Sequence, residues 1–333
     1  MKVSSDTITA KEWLADSSIT SGSRKNRRMM IQILVSSNGC ETVEQLLDRI
    51  RNDSVTLYSV SKRLVDTMLK THSIGTVYAY RSMLPGLWES ILGENNFSRK
   101  AFDRLAPCGT VYPSIVKKIP TPDGVKSMLK MSNPQYRALV SGLAVSGMRI
   151  GEWLSRKMSD LEIRPDGYAR VKLQAGETKA RTDRFTFLTK EIVEFIDIYH
   201  QWLGMKSEYV FPGLNGSQSF QYGSALEGIK RLFARNGMTD DKDGIYSPHS
   251  FRTYADAQLR KSGMDSKYVS ATIGHVNRLQ SEIAYLDWRE IENDWVSKCA
   301  ERLIFFEKQS KNENRVSFNP QPNVIGFSFS VSS

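Results

Sequence analysis

The sequence is poor in the residues that crowd metal sites and disulfide frameworks: three cysteines, Cys40, Cys108 and Cys299, and four histidines among 333 residues. The cysteines are far apart and share no ligand spacing. They read as free thiols of a reducing compartment, not as a covalent scaffold or a zinc cage. No carboxylate cluster accompanies the histidines, so neither a metal nor another cofactor is expected. No run approaches the roughly 18 apolar residues of a membrane span. The N-terminal MKVSSDTITAKEWL lacks the apolar core of a secretory signal. A cytoplasmic protein with no membrane partner is expected.

What is present is globular in kind: 40% hydrophobic and 25% charged residues, at a length that suits two domains. The net charge is +10 and the pI about 9.4. Basic residues outnumber acidic ones in both halves, so the excess is not confined to a tail. An anionic partner fits that balance; an ordinary basic soluble protein has it too.

The first hundred residues show helical spacing and no strand-period segment. In the run SGSRKNRRMMIQILVSS, Arg24, Lys25, Arg27 and Arg28 precede an apolar helical stretch. They form either a solvated helix start or a set of phosphate contacts. A helix opens near Thr42. Another covers about 57–70, with Leu57, Val60, Leu64, Val65 and Met68 on one face. A third spans about 74–92, with Tyr78, Met83, Leu84, Leu87 and Ile91 as its buried side despite Pro85. Between Leu105 and Pro122 four prolines and the pair Lys117-Lys118 mark a linker. The domain boundary is placed near residue 113, and the lysine pair is suited to track a phosphate backbone.

The second part begins with helices at about 122–131 and 133–146. The latter runs into Ser146-Gly147-Met148-Arg149-Ile150-Gly151-Glu152, where glycines flank an arginine and let the backbone turn sharply. Strand signals follow at 168–173 and 184–188, a predicted antiparallel pair whose polar tip carries Lys179, Arg181 and Arg184. Helices are predicted at about 189–203, 223–236 and 290–308. Between the last two lies Ser247–Trp288. There Pro248 opens a helix that puts His249 and Arg252 on one face, Ile273-Gly274-His275 breaks a helical pattern, and Tyr285 follows ten residues later. The tail, 309–333, ends in GFSFSVSS, an alternation that suits a strand with no partner in its own domain.

Taken in order, Arg149 after a glycine turn, Lys179 on a hairpin, His249-Ser250-Phe251-Arg252, Gly274-His275 and Tyr285 resemble the signature of the tyrosine recombinase (phage integrase) family. SGMRIGE looks like that family's arginine box and IGH like its Leu-Gly-His. The resemblance covers about residues 113–300 through motifs, and the helical first part more loosely. It implies a mainly α protein with a small antiparallel β-sheet (α+β). Residues 1–113 would form a core-binding domain, 114–308 the catalytic domain, and 309–333 a tail exchanged between subunits. It further implies a site-specific DNA recombinase, independent of metal and ATP, that closes as a clamp on double-stranded DNA. It would be a homo-tetramer on two sites and a monomer or weak dimer off DNA.

The implied roles can be matched to the chemistry. Tyr285 attacks the phosphorus to form a 3′-phosphotyrosyl bond. Arg149 and Arg252 offer planar forks to the charged oxygens, and His249 and His275 add hydrogen bonds. His249 is also placed to take the tyrosine proton. Lys179 is the general acid for the departing 5′-oxygen. Glu152 supports Arg149. Contacts to DNA are expected from Arg24, Lys25, Arg27, Arg28, Lys117, Lys118, Arg181 and Arg184. The chain departs from the family pattern in two places: Thr253 and Tyr254 follow Arg252 where many relatives have a second basic residue, and the interval from His275 to Tyr285 is one residue longer than in many members. No arm-binding domain is recognised ahead of residue 20, which fits a simple two-domain recombinase. Two alternatives share the pattern: a DNA-binding accessory or regulatory protein that keeps the fold without cutting, and a type IB topoisomerase-like activity.

Overall fold

A computed structural model describes residues 10–15, 21–52, 55–93, 97–109, 117–178, 183–241, 244–274 and 286–306. Their contacts fall into two compact units, Met1–Ser114 and Ile115–Ser333. The described residues are mainly α-helical with one small antiparallel sheet.

The described part of the first unit is helical throughout: α1 (Ala10–Ala15), α2 (Ser21–Ser37), α3 (Val43–Arg51), α4 (Leu57–Leu69), α5 (Ile74–Arg81), α6 (Leu84–Leu92) and α7 (Arg99–Leu105). Thr42 and Gln45 form a reciprocal capping box that starts α3, satisfying two backbone N–H groups that a helix start leaves without intrahelical partners. The predicted stripe of α4 is buried in full and packs against Met30, Ile31, Leu34 and Val35 of α2. Each such side chain contributes about 1.5–3 kcal/mol. Trp88 closes this core, its indole N–H donating to Ser61 Oγ at 2.9 Å.

The single helix expected over 74–92 is in fact two. The ring of Pro85 conflicts with the carbonyl four residues back, which belongs to Arg81, and α5 ends there. The break also turns the face: Tyr78, expected inside, is 50% exposed.

The second unit is organised around α9 (Pro134–Ser146), whose residues Ala138–Ser146 are all buried. Small residues let neighbours approach it; a Cβ on Gly142 would lie 2.5 Å from the indole of Trp153. Around α9 stand α8 (Pro122–Met131), the short α10 (Ile150–Leu154), α11 (Lys190–Leu203), α12 (Tyr222–Arg235) and α13 (Pro248–Lys261), with α14 (Ser266–Ile273) against α13. The sheet has the order β1 (Leu161–Ile163), β2 (Ala169–Leu173), β3 (Arg184–Leu188), antiparallel throughout, with Leu173 opposite Arg184. β1 is an addition to the predicted pair; three residues carry too little alternation to be read from sequence.

The last helix among the described residues, α15 (Trp288–Lys298), is shorter than the predicted 290–308. Trp295 stacks on Phe187 of β3 at 5.1 Å, and the buried Glu292 takes hydrogen bonds from Tyr168 and Arg170. Beyond α15 the chain turns, and the buried Glu191 carboxylate accepts the Phe305 and Phe306 amides at 2.9 and 2.8 Å. The tail from 307 lies outside the described residues, as does the expected strand in it. No helix among the described residues is long and apolar enough to cross a membrane.

Candidate active site

The site is assembled at the end of α9. Gly147 caps that helix in the left-handed conformation, φ 64°, which glycine alone adopts without a Cβ penalty. A Cβ there would press on Ala255 of α13 and Ile273 of α14 at 3.3 Å. The turn brings Arg149 to the N-cap of α10. Glu152, at the third helical position, accepts the Arg149 backbone N–H at 2.9 Å and its guanidinium at 2.7 Å. Glu152 is buried, while the Arg149 side chain keeps 33% of its surface exposed. One end of that guanidinium is therefore fixed, and the rest faces out.

Arg252 comes from α13, one turn after His249, and is 2% exposed. Its two Nη atoms donate to the carbonyls of Gly147 at 2.7 Å and Gly274 at 3.2 Å. Two of five guanidinium N–H groups are thus spent on the framework, leaving three. Burial, reinforced by the charges of Arg149 and Arg184, lowers its pKa to about 9; it is still a cation at neutral pH.

His249 is exposed at the start of α13. Partial desolvation, then the charges of Arg252, Lys117 and Arg149, hold its pKa below the ordinary value. The ring is neutral at pH 7 and able to accept a proton. Lys117 is exposed and pairs through its backbone with Ile245, just ahead of α13. The lysine pair therefore divides: Lys117 shares the field of His249, whereas Lys118 is turned inward. The Lys118 ammonium, expected at DNA, is held by the Asp241 carboxylate and lies over the Tyr246 ring.

Arg184 corrects the expectation more sharply. The polar tip of the predicted hairpin would set it on the surface, but it is 3% exposed. One Nη donates to Glu152 Oε2 at 2.6 Å and the other to the Thr272 carbonyl at 2.6 Å. Burial raises the pKa of Glu152, yet the charge of Arg184 and the hydrogen bonds from Arg149 outweigh it and hold the carboxyl below the usual range. Among the described residues, the cluster is three guanidiniums around one carboxylate, an excess of positive charge in a largely dry setting. Such an arrangement favours an anion on the face where Arg149 is open.

A fourth arginine had no assigned role in the sequence reading. Arg156 is fully buried; it donates to the Glu152 carbonyl at 2.9 Å and the Lys172 carbonyl at 3.0 Å, and pairs with Glu177 at 2.8 Å. Asp183 accepts the Ala175 amide at 2.6 Å. Together these fix both ends of the segment that carries Lys179 in the sequence. The position of Arg156 four residues after Glu152 is the signal that could have pointed to it. Lys179, Arg181, His275 and Tyr285 lie outside the described residues.

In the first unit, the basic run at the start of α2 also divides. Lys25 and Arg28 are exposed and Arg24 half-buried. Arg27, also expected at DNA, lies over the Trp13 ring at 4.2 Å and donates to the Trp13 carbonyl at 2.8 Å.

Residues 119–291 match the phage integrase family. A tyrosine recombinase of Thermosipho africanus is 25% identical over 236 residues, 66% of this chain and 77% of that protein. The recombinase XerC of Staphylococcus carnosus is 26% identical over 144 residues, 42% of this chain and 45% of that protein. Among solved structures, the Tn1549 transposon integrase in complex with transposon right end DNA superposes with a TM-score of 0.58 at 15% identity, covering 87% of this chain and 98% of that one. A lambda integrase tetramer bound to a Holliday junction gives 0.59 at 15% identity, over 83% and 80%. At these identities the structural likeness concerns the fold.

Proposed function

Because this chain belongs to the phage integrase family, we propose that it transfers DNA strands through Tyr285, with Arg149, Arg252, His249, His275 and Lys179 completing the site. The chain is a DNA strand-transferring enzyme of the tyrosine recombinase type and acts in site-specific recombination. The assignment of residues rests on one observation above the others: an arginine cluster balanced by a single carboxylate, with Arg149 open at its face. The described chain ahead of 275–285 also ends beside it. Gly274 accepts from Arg252; Trp288 packs on Phe185 of β3 at 5.2 Å, on the strand face opposite to Arg184. His275 directly follows Gly274 in the sequence, and Tyr285 stands three residues before Trp288.

The chemistry follows from these groups. The Tyr285 oxygen forms a bond to phosphorus as the bond from phosphorus to the 5′-oxygen breaks. The phenol proton passes to neutral His249, and Lys179 gives a proton to the departing oxygen. Negative charge rises on the non-bridging oxygens, and the preorganised guanidiniums of Arg149 and Arg252 meet it without reorganising. Attack by a second strand's 5′-hydroxyl reverses the steps. The phosphotyrosyl bond keeps the energy of the phosphodiester, so religation consumes no ATP.

Lys25 and Arg28 in the first unit and Lys117 in the second supply sequence-independent phosphate contacts. By analogy with the tetrameric lambda integrase, the working form is a homo-tetramer on two duplex sites, in the cytoplasm, with the tail after residue 308 linking neighbours. The test is a suicide DNA substrate, whose cleaved strand cannot be religated. A covalent protein–DNA adduct should appear in a denaturing gel and vanish in Tyr285→Phe, with DNA binding unchanged. Binding without an adduct in the unaltered chain overturns the reading in favour of a non-cutting accessory protein. An adduct surviving Tyr285→Phe overturns the nucleophile.

A further inference from the structure

Arg184 is the one member of the cluster without a chemical role above, and one of its Nη atoms is spent on the Glu152 carboxylate. We infer that Arg184 is a positioning residue: it locks the Glu152 carboxylate that orients Arg149 to the end of α14, from which the chain enters the segment bearing His275 and Tyr285. The inference rests on the function proposed above and adds a residue to it.

Three features carry it. The first is connectivity. Through its two Nη atoms Arg184 joins Glu152 at 2.6 Å to the Thr272 carbonyl at 2.6 Å. Those partners are 32 and 88 residues away in sequence, so one planar side chain fixes the distance between α10 and α14. The planar fork makes this specific, since an ammonium is a point donor with no second arm at a set angle.

The second feature is the helix end. The last carbonyls of a helix have no intrahelical donor and carry partial negative charge. At the C-terminus of α14 Arg184 takes the carbonyl of Thr272 and Arg252 that of Gly274. Gly274 is left-handed, φ 77°, and its α-carbon sits so close to Arg184 that a Cβ would lie 2.8 Å from Nε and 3.0 Å from Cδ. Arg184 and Gly274 fit one another, and the fit sets the direction in which the chain leaves toward His275.

The third is charge. Glu152 alone would neutralise Arg149, the cation that is open to the phosphate. Arg184, on the far side of the same carboxylate, offsets that negative charge and leaves Arg149 its full attraction for an anion. In a buried setting this balance is scarcely screened.

The experiment is single-turnover adduct formation on the suicide substrate at saturating protein, with DNA affinity and thermal midpoint measured on the same preparations. Arg184→Met keeps the bulk and removes both charge and fork. It is expected to slow adduct formation about 100-fold, the scale of a small misplacement remote from the chemistry, with DNA affinity within about threefold. Adding Glu152→Gln to Arg184→Met removes the uncompensated carboxylate and should recover at least about tenfold in rate, which a purely structural role does not predict. Arg184→Lys, the variant safest for folding, keeps the charge but can reach only one of the two acceptors; it should lose about tenfold. Undiminished cleavage in Arg184→Met or Arg184→Lys overturns the inference alone, and so does an equal loss of DNA affinity and rate. Absence of any adduct from the unaltered chain overturns the parent reading and this inference with it.

Discussion

The Glu152 carboxylate holds Arg149 twice, accepting its guanidinium at 2.7 Å on one oxygen and its backbone N–H at 2.9 Å on the other. The second oxygen is shared with Arg184. Removing Glu152 therefore does more than loosen an exposed arginine; it strands Arg184 in the interior without its counter-charge. Glu152→Ala should destabilise the second unit by about 3–5 kcal/mol, the cost of breaking a buried pair from one side. Glu152→Gln retains an acceptor and should lose less. Chemical denaturation of the three proteins gives the order, and an alanine variant as stable as the parent would show that the cluster holds nothing together.

His249 gives a pH signature. Its folded-state pKa is depressed, by partial burial first and then by Arg252, Lys117 and Arg149. The unfolded chain, with an ordinary value of about 6.5, binds the proton more readily. The stabilising contribution of the neutral ring is therefore complete above about pH 6.5 and is lost as the pH falls through the folded value. Stability measured from pH 8 to 5 should fall more steeply for the parent than for His249→Gln, and the difference between the two curves isolates the ring. Parallel curves would mean that His249 does not feel the cluster. Adduct formation should fall over the same acid range, because the protonated ring can no longer accept the tyrosine proton.

Three glycines of the site separate backbone strain from side-chain conflict. Gly274→Ala puts a Cβ at φ 77° and 2.8 Å from Arg184 Nε; it should cost about 2–3 kcal/mol and slow cleavage through Arg184. Gly147→Ala meets the strain at φ 64° with only 3.3 Å contacts, so about 1–2 kcal/mol is expected. Gly151 lies within α10, and nothing is within 4 Å of its Cβ position. Gly151→Ala should be neutral or stabilising by up to about 1 kcal/mol. Thermal midpoints in that order are the expected result; equal midpoints for Gly274→Ala and Gly151→Ala would contradict the close approach of Arg184.

How much of this was legible beforehand depended on whether an interaction is local in the chain. Thr42 capping α3, Pro248 opening α13, and Arg149 with Glu152 three residues on are all relations within one turn, and residue types at short spacing carry them. The role of Arg184 was not legible. Its partners are remote in sequence, and an arginine flanking a polar turn is ordinarily exposed. The intramolecular partners of Arg27 and Lys118 were not legible for the same reason, since Trp13 and Asp241 meet them only in the folded chain. The break between α5 and α6 was legible in principle, because Pro85 names Arg81 as the carbonyl it displaces. β1 is too short to announce itself.

The basic start of α2 offers a contrast within one turn of helix. Arg27 is committed to Trp13 through a 2.8 Å hydrogen bond and a ring contact at 4.2 Å, so Arg27→Ala should act on stability. A loss of about 1–2 kcal/mol is expected from the hydrogen bond and the cation–π contact together, with little change in how DNA affinity depends on salt. Lys25 and Arg28 are exposed, and their replacement by alanine should do the reverse. Each substitution should lower the slope of log affinity against log salt by about one, the release of a single counterion, while the thermal midpoint stays at the parent value. The two readouts are independent, so the assignment can fail in either direction. A salt slope unchanged in Lys25→Ala and Arg28→Ala would remove the start of α2 from the DNA interface. A lowered slope in Arg27→Ala at unchanged stability would return that arginine to it.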